Sequence, residues 1–214
     1  DAEGNQKGYA LDVNGQSTAQ LMMVVGTKTA GWEENLALGL KLTALLEQEK
    51  PNVKLLVNAA GFGKFGDYDQ IPMEEDFRML DLNCKALVAM TRLTIPYMEK
   101  GSHILELDSL SAFQPVPYIT TYGATKAFVL SYSRAMNREL KPKGIRVMAM
   151  NPGWVKTEFF NHALQTNAGS EVQHYDRLYE ADAVVATGLR DLYKTRKDFS
   201  IHGFPVRMQV RLVK

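Results

Sequence analysis

The chain has 214 residues, 45% of them hydrophobic, which is enough for one well-buried core and short for two. Its 25 basic residues against 24 acidic ones leave a formal charge of +1, too little to draw in nucleic acid or an anionic membrane, so neither partner is indicated. The single cysteine, Cys84, cannot close an internal disulfide, and His103, His162, His174 and His202 show no metal-ligand spacing with it.

No apolar run approaches the roughly 20 residues that span a bilayer, and no signal-peptide pattern opens the chain. The expectation is a soluble, cytoplasmic protein with a metal-free site. In chain order, Leu21 to Val25 is a short apolar run, followed by Gly26-Thr-Lys-Thr-Ala-Gly31 and a helical stretch from Glu33 to Glu49. Val53 to Asn58 reads as a strand. Glu74 to Lys100 reads as a long helix that Pro96 bends or ends. His103 to Ser109 is the next strand, and Tyr122 to Leu140 the next helix, with Phe128, Tyr132, Ala135 and Met136 on one face. Ile145 to Asn151 (strand), Asp182 to Lys197 (helix) and Phe199 to His202 (strand) complete the series. Apolar runs alternating with longer amphipathic stretches imply a single α/β domain with a doubly wound parallel sheet. In such sheets ligands sit beyond the carboxyl ends of the strands, where Asn58, Ser109 and Asn151 fall.

The chemistry gathers at the same ends. Tyrosine has an ordinary pKa of about 10, so a phenol that moves a proton near neutrality needs a positive neighbour. Lys126 lies one helical turn after Tyr122, on the same face, and Ser109 closes the preceding strand thirteen residues before the tyrosine. Such a pair of hydroxyl donors can converge on one substrate oxygen. A tyrosine four residues before a lysine is also an ordinary solvated helix face, and the chain contains a second example, Tyr193 and Lys197. Thirteen residues before Tyr193 stands Glu180, not a serine.

With Ser109, Tyr122-Gly-Ala-Thr-Lys126 and Asn151-Pro-Gly-Trp-Val-Lys-Thr157 in this order, the chain resembles a classical short-chain dehydrogenase/reductase (SDR). Residues 51–204 follow the family's motif order well; residues 1–50 match it poorly. The resemblance implies a Rossmann-like fold. It also implies that Tyr122 donates or accepts the proton, Lys126 lowers its pKa and holds the nicotinamide ribose, and Ser109 orients the substrate carbonyl. Asn83, in Leu-Asn-Cys-Lys, matches the asparagine that supports a proton relay. Asn58-Ala-Ala-Gly61 resembles the turn beside the adenosine, with Ala59 replacing an asparagine; Gly63 and Gly66 read as ordinary loop glycines. Pro152 and Gly153 match the segment against the nicotinamide, and Thr157 the threonine that bonds its carboxamide or the pyrophosphate.

The amino-terminal part fits less well. Tyr9-Ala-Leu-Asp-Val13 resembles the family's third strand, which assigns Asp12 to the adenine and leaves the glycine-rich pyrophosphate turn outside the sequence. The competing alignment takes Gly26 to Gly31 as that turn; the spacing favours a plain loop. Asp1 is not methionine, so the expectation is that a longer natural chain supplies the turn upstream.

Phe159, Phe160, Leu164, Tyr175 and Leu178, facing Phe113, Val116 and Tyr118, form either an apolar substrate pocket or a cap on the core or on a partner subunit. The expected function is an NAD(P)-dependent oxidoreductase, with NAD or NADP as cofactor, acting on an apolar carbonyl or alcohol and assembling as a homodimer or homotetramer. The alternative is a non-catalytic binding or regulatory protein on the same scaffold.

Overall fold

A computed structural model describes residues 42–166 and 177–213. Among the described residues, four short strands form one parallel sheet: β1 (Leu55–Asn58), β2 (His103–Leu107), β3 (Arg146–Met150) and β4 (Phe199–Ser200), hydrogen-bonded in the order β1-β2-β3-β4. Leu56 pairs with Ile104 and Ile104 with Val147, so side chains of one parity line up across the sheet. Leu56, Ile104 and Val147 pack with Leu42, Leu46, Met90, Met98 and Leu140 on one face. Leu105, Met148 and Met150 pack with Val184 and Leu192 on the other. Burial on both faces explains why these strands read as nearly unbroken apolar runs.

The helices that cover the sheet depart from expectation in three places. After α1, a helix over 42–49, the stretch expected as one helix is built in pieces: α2 (Met73–Leu80), a π-helical turn (Asp81–Ala86), α3 (Leu87–Thr94) and a 3₁₀ turn (Ile95–Tyr97). Pro96, which has no N–H to donate, falls in the closing turn. The π turn has the larger effect, because it presents Asn83 and Cys84 to the interior. Next, α4 (Thr120–Glu139) buries Gly123, Thr125, Lys126, Val129, Leu130 and Ser133. The Phe128 and Tyr132 stripe is turned away: Phe128 is 42% exposed and its ring stacks on Tyr132. Finally, β4 stops at Ser200, and a further helix, α7 (Phe204–Val213), follows it. Gly203, at φ +87°, turns the chain, and Pro205 suits the first helical turn, where its missing N–H costs nothing.

Short α5 (Phe159–Ala163) and α6 (Ala181–Lys194) complete the described elements. The end of α6 is tied to β3 by Arg146. Its guanidinium donates to the carbonyls of Asp191 at 3.1 Å and Lys197 at 2.6 Å, and to those of Leu192 and Thr195. A cation at a helix C-terminus satisfies carbonyls that have no intrahelical partner. Among the described residues, no helix is long and apolar enough to cross a membrane, and no group of three or more His, Cys, Asp or Glu is placed to hold a metal ion.

Candidate active site

Along the face covered by α3 and α4, the sheet changes from apolar to polar toward its carboxyl end. Ile104 gives way to Glu106 and Asp108, Leu56 to Asn58, and Val147 to Asn151. The amino-terminal part of α4 lies against this polar end and carries Tyr122 and Lys126. Ser109 sits just past β2 in extended backbone, and its Oγ accepts the Ser111 N–H at 3.2 Å, capping the 3₁₀ turn Leu110–Phe113. That bond fixes the hydroxyl where it also hydrogen-bonds the Tyr122 phenol. Lys126 Nζ donates to the Leu107 carbonyl at 2.8 Å and lies 5.6 Å from the Tyr122 ring centre. Serine, phenol and ammonium therefore converge in one crevice.

The protonation chemistry differs from the simple expectation. Burial pushes the Tyr122 phenol above its ordinary value; the Ser109 hydrogen bond pulls it down, and the negative charge of Asp108 pushes it further up. Burial depresses Lys126, and Asp108, Cys84 and Glu106 counter that by favouring the ammonium. Lys126 thus directs its charge mainly at the strand carboxyls, and it does not figure among the groups that move the phenol.

Asn83 joins the site through the π turn. Its Oδ1 accepts the Phe62 N–H at 3.1 Å, and its Nδ2 donates to the Phe62 carbonyl at 2.9 Å and to Thr125 Oγ1 at 3.0 Å. Thr125 in turn donates to the Tyr122 carbonyl at 2.7 Å. Asn83 therefore links the loop after β1 to the turn of α4 that holds Tyr122. Gly61 lies against the same group: a Cβ there would stand 3.0 Å from Asn83 Oδ1 and 3.7 Å from Lys126 Nζ. Asn58 Nδ2 donates to Thr91 Oγ1 at 3.0 Å, pinning β1 to α3.

Pro152 and Gly153 follow β3, where the Pro152 carbonyl accepts the Leu110 N–H at 3.0 Å and a Cβ on Gly153 would meet Leu110 Cδ1 at 3.3 Å. Thr157 is exposed, and its Oγ1 accepts the Phe159 N–H at 3.4 Å at the start of α5. Asp12 and Tyr175 lie outside the described residues.

The expected apolar wall is partly redrawn. Val116, Phe159 and Phe160 pack with Phe65, Ile119, Ala163, Trp154 and Tyr122 in one cluster. Phe113 instead meets Phe199 of β4 edge-on at 5.5 Å, because the 3₁₀ turn carries it toward the other strand. Tyr118, Leu164 and Leu178 are each at least 40% exposed. Gly63 has a specific reason to be glycine: a Cβ there would stand 2.9 Å from both Phe159 Cζ and Tyr122 Cδ2. Sequence reasoning missed Gly63, Phe65, Trp154, Glu106 and Asp108. The carboxyl pair had a legible signal: two acidic residues two apart in an apolar strand must share a face.

Comparison with known proteins identifies the family and supports the fold. A model of the short chain dehydrogenase family matches residues 34–168, more than half of the chain, and the chain belongs to that family. It is 34% identical over 111 residues to an uncharacterized oxidoreductase of Staphylococcus epidermidis, covering 50% of this chain and 47% of that protein. It is 36% identical over 107 residues to human dehydrogenase/reductase SDR family member 4, covering 49% of this chain and 38% of that one. The chain thus spans about half the length of such relatives, or less. Among solved structures, it is similar to a short-chain dehydrogenase from Sphingobium yanoikuyae in complex with NADPH. The TM-score is 0.66 at 27% identity, covering 85% of this chain and 68% of that one.

Proposed function

We propose that the chain is the catalytic part of an NAD(P)-dependent oxidoreductase that interconverts a carbonyl and an alcohol. The observation that carries this reading is the convergence of Ser109, Tyr122 and Lys126 at the carboxyl end of a parallel sheet. The residues present suit the nicotinamide half of a dinucleotide. Lys126 offers a buried ammonium at the strand ends, and Gly61 leaves room there for the Asn83 amide and the lysine to lie side by side. Tyr122, Lys126, Pro152, Gly153 and Thr157 would line that half, with Asn58 and Gly61 toward the adenosine. When bound, the nicotinamide gives or takes the hydride.

In the reducing direction the substrate oxygen lies between the Ser109 and Tyr122 hydroxyls. Ser109 orients it, and Tyr122 transfers its proton as charge develops on that oxygen. A phenol held above its ordinary pKa stays protonated over the neutral range, which suits a proton donor. Asn83 holds the Tyr122 turn in register and sets the position of the Phe62 loop beside it. Phe159 and Phe65 wall the space next to Tyr122, favouring an apolar substituent on the carbonyl carbon.

Titration of the full-length protein with NADH and NADPH, followed by nicotinamide fluorescence, tests the binding half of the reading. A panel of aldehydes and ketones then tests the chemistry. Tyr122→Phe is expected to cost at least about 10²-fold in turnover, the low end for a lost general acid, while retaining coenzyme affinity. Normal turnover by that variant, or no coenzyme binding by the parent, defeats the proposal.

A further inference from the structure

The carboxyl groups of Glu106 in β2 and of Asp108 just past it lie inside the site, yet the reaction just described gives them no part. Glu106 and Asp108 are 0% and 2% exposed and share the sheet face that α3 and α4 cover. Uncompensated charges at such depth are costly, so each should be neutral or matched.

Glu106 Oε1 accepts from Thr91 Oγ1 at 2.9 Å, a hydroxyl that also faces the Leu87 carbonyl at 2.8 Å and accepts from the Asn58 amide at 3.0 Å. Burial raises the Glu106 carboxyl to about 7, so it takes a proton more readily than an exposed glutamate.

Asp108 is placed differently. Its Oδ2 accepts from Asn151 Nδ2, an amide that also donates to the Ser109 carbonyl at 3.1 Å. Its Oδ1 is buried without a hydrogen-bond partner, so the carboxylate depends on the charge beside it. Lys126 Nζ is anchored on the carbonyl of Leu107, the residue immediately before Asp108, so ammonium and carboxylate share one turn of backbone. The groups that act electrostatically on Asp108 are Lys126 from α4, which favours the carboxylate, and Glu106 of β2. Tyr122, also on α4, feels the Asp108 charge, while Asn151 from β3 is uncharged. Cys84, from the π turn, faces Lys126 with a thiol that burial pushes up to about 11, so it brings no charge at neutral pH.

We propose that Asp108 is a positioning residue of the site, the carboxylate that matches the buried Lys126 ammonium and keeps it charged beside Tyr122. This rests on the reading of Tyr122 and Lys126 given above, but its first test needs no turnover. The full-length protein is labelled with ¹³C at aspartate carboxyls and titrated by NMR, the Asp108 signal being the one lost in Asp108→Asn. It is expected to move to higher pH in Lys126→Met, where the matching cation is gone. An Asp108 signal that Lys126→Met leaves in place, or moves to lower pH, overturns the proposal.

The second test is the pH profile of carbonyl reduction in Asp108→Asn, with folding checked by near-ultraviolet circular dichroism. Removing the carboxylate lowers the proton affinity of both Lys126 and Tyr122, so the alkaline limb should shift to lower pH. A merely structural role would reduce the rate equally at every pH, and that result also refutes the assignment. If Asp108→Asn fails to fold, the lysine variant and the titration still decide. A parent protein without turnover would count against the oxidoreductase reading and leave the titration to judge Asp108.

Discussion

Replacing Gly63 by alanine probes the closeness of the loop after β1 to the reacting phenol. The new methyl would stand 2.9 Å from Phe159 Cζ, 2.9 Å from Tyr122 Cδ2 and 3.1 Å from Tyr122 Cγ, where ordinary contact begins at 3.4 Å. Phe159 meets it with the far end of a side chain on a short helix and can swing aside. Tyr122 meets it with the base of its ring on α4, and must retreat by about half an ångström to reach ordinary contact. Overpacking of this kind costs about 1–3 kcal/mol. For a chain of this size, about 2–4 °C per kcal/mol converts that to a melting-point drop of roughly 2–12 °C. Activity should suffer more, because displacement of a catalytic group by as little as about 1 Å can cost about 10²-fold. The assay pairs thermal denaturation with turnover on the best carbonyl found for the parent, and adds the double variant Gly63→Ala, Phe159→Leu. Trimming Phe159 should return part of the stability but little of the rate, since the clash with Tyr122 persists. A Gly63→Ala protein that melts and turns over like the parent would refute the packing argument.

Two further perturbations follow from the same contacts. Asn83→Ala strands the half-buried Phe62 N–H and carbonyl, at less than the about 1–3 kcal/mol that each would cost if fully buried, so chemical denaturation should show a loss of stability; an unchanged midpoint would show the loop held by something else. Glu106 takes its proton more readily folded than unfolded, because burial raises it from 4.5 to about 7. Its stabilising contribution is therefore complete below pH 4.5 and is lost as pH rises through about 7. Glu106→Gln, which copies the neutral form, should flatten the decline in melting temperature between pH 5 and pH 8, and a parent whose stability rises over that interval would contradict the assignment.

The strands were legible because both faces of the sheet are buried, which removes the polar alternation that blurs shorter segments. The grouping of Ser109, Tyr122 and Lys126 was legible because its offsets place one residue at a strand end and two on a helix turn. The decoy pair shows what spacing alone is worth: Lys197 lies past the end of α6 and pairs with Asp191, while Tyr193 is half exposed against His103. The buried side of α4 was not legible, because the site places Thr125, Lys126 and Ser133 inside and leaves Phe128 outside. A rule that sends apolar residues inward fails at such a place. The pocket wall was half legible: composition indicates aromatics after Thr157, but the direction of Phe113 depends on a 3₁₀ turn set by the Ser109 cap.

The same polar gradient explains why this end of the sheet can hold chemistry. At the opposite end Ile104, Val147 and Leu140 pack without a polar atom, and there the fold gains its stability. Moving toward their carboxyl ends, β1, β2 and β3 exchange apolar side chains for Asn58, Glu106, Asp108 and Asn151, all buried. Each exchange gives up packing energy and adds a desolvation cost that hydrogen bonds and Lys126 only partly offset. A folded chain tolerates that arrangement when the polar groups are fixed by one another. Asn83 to Thr125, Asn58 to Thr91 and Asn151 to Asp108 are those fixings. The stability given up along one sheet face is what fixes an ammonium, a phenol and a hydroxyl beside one another.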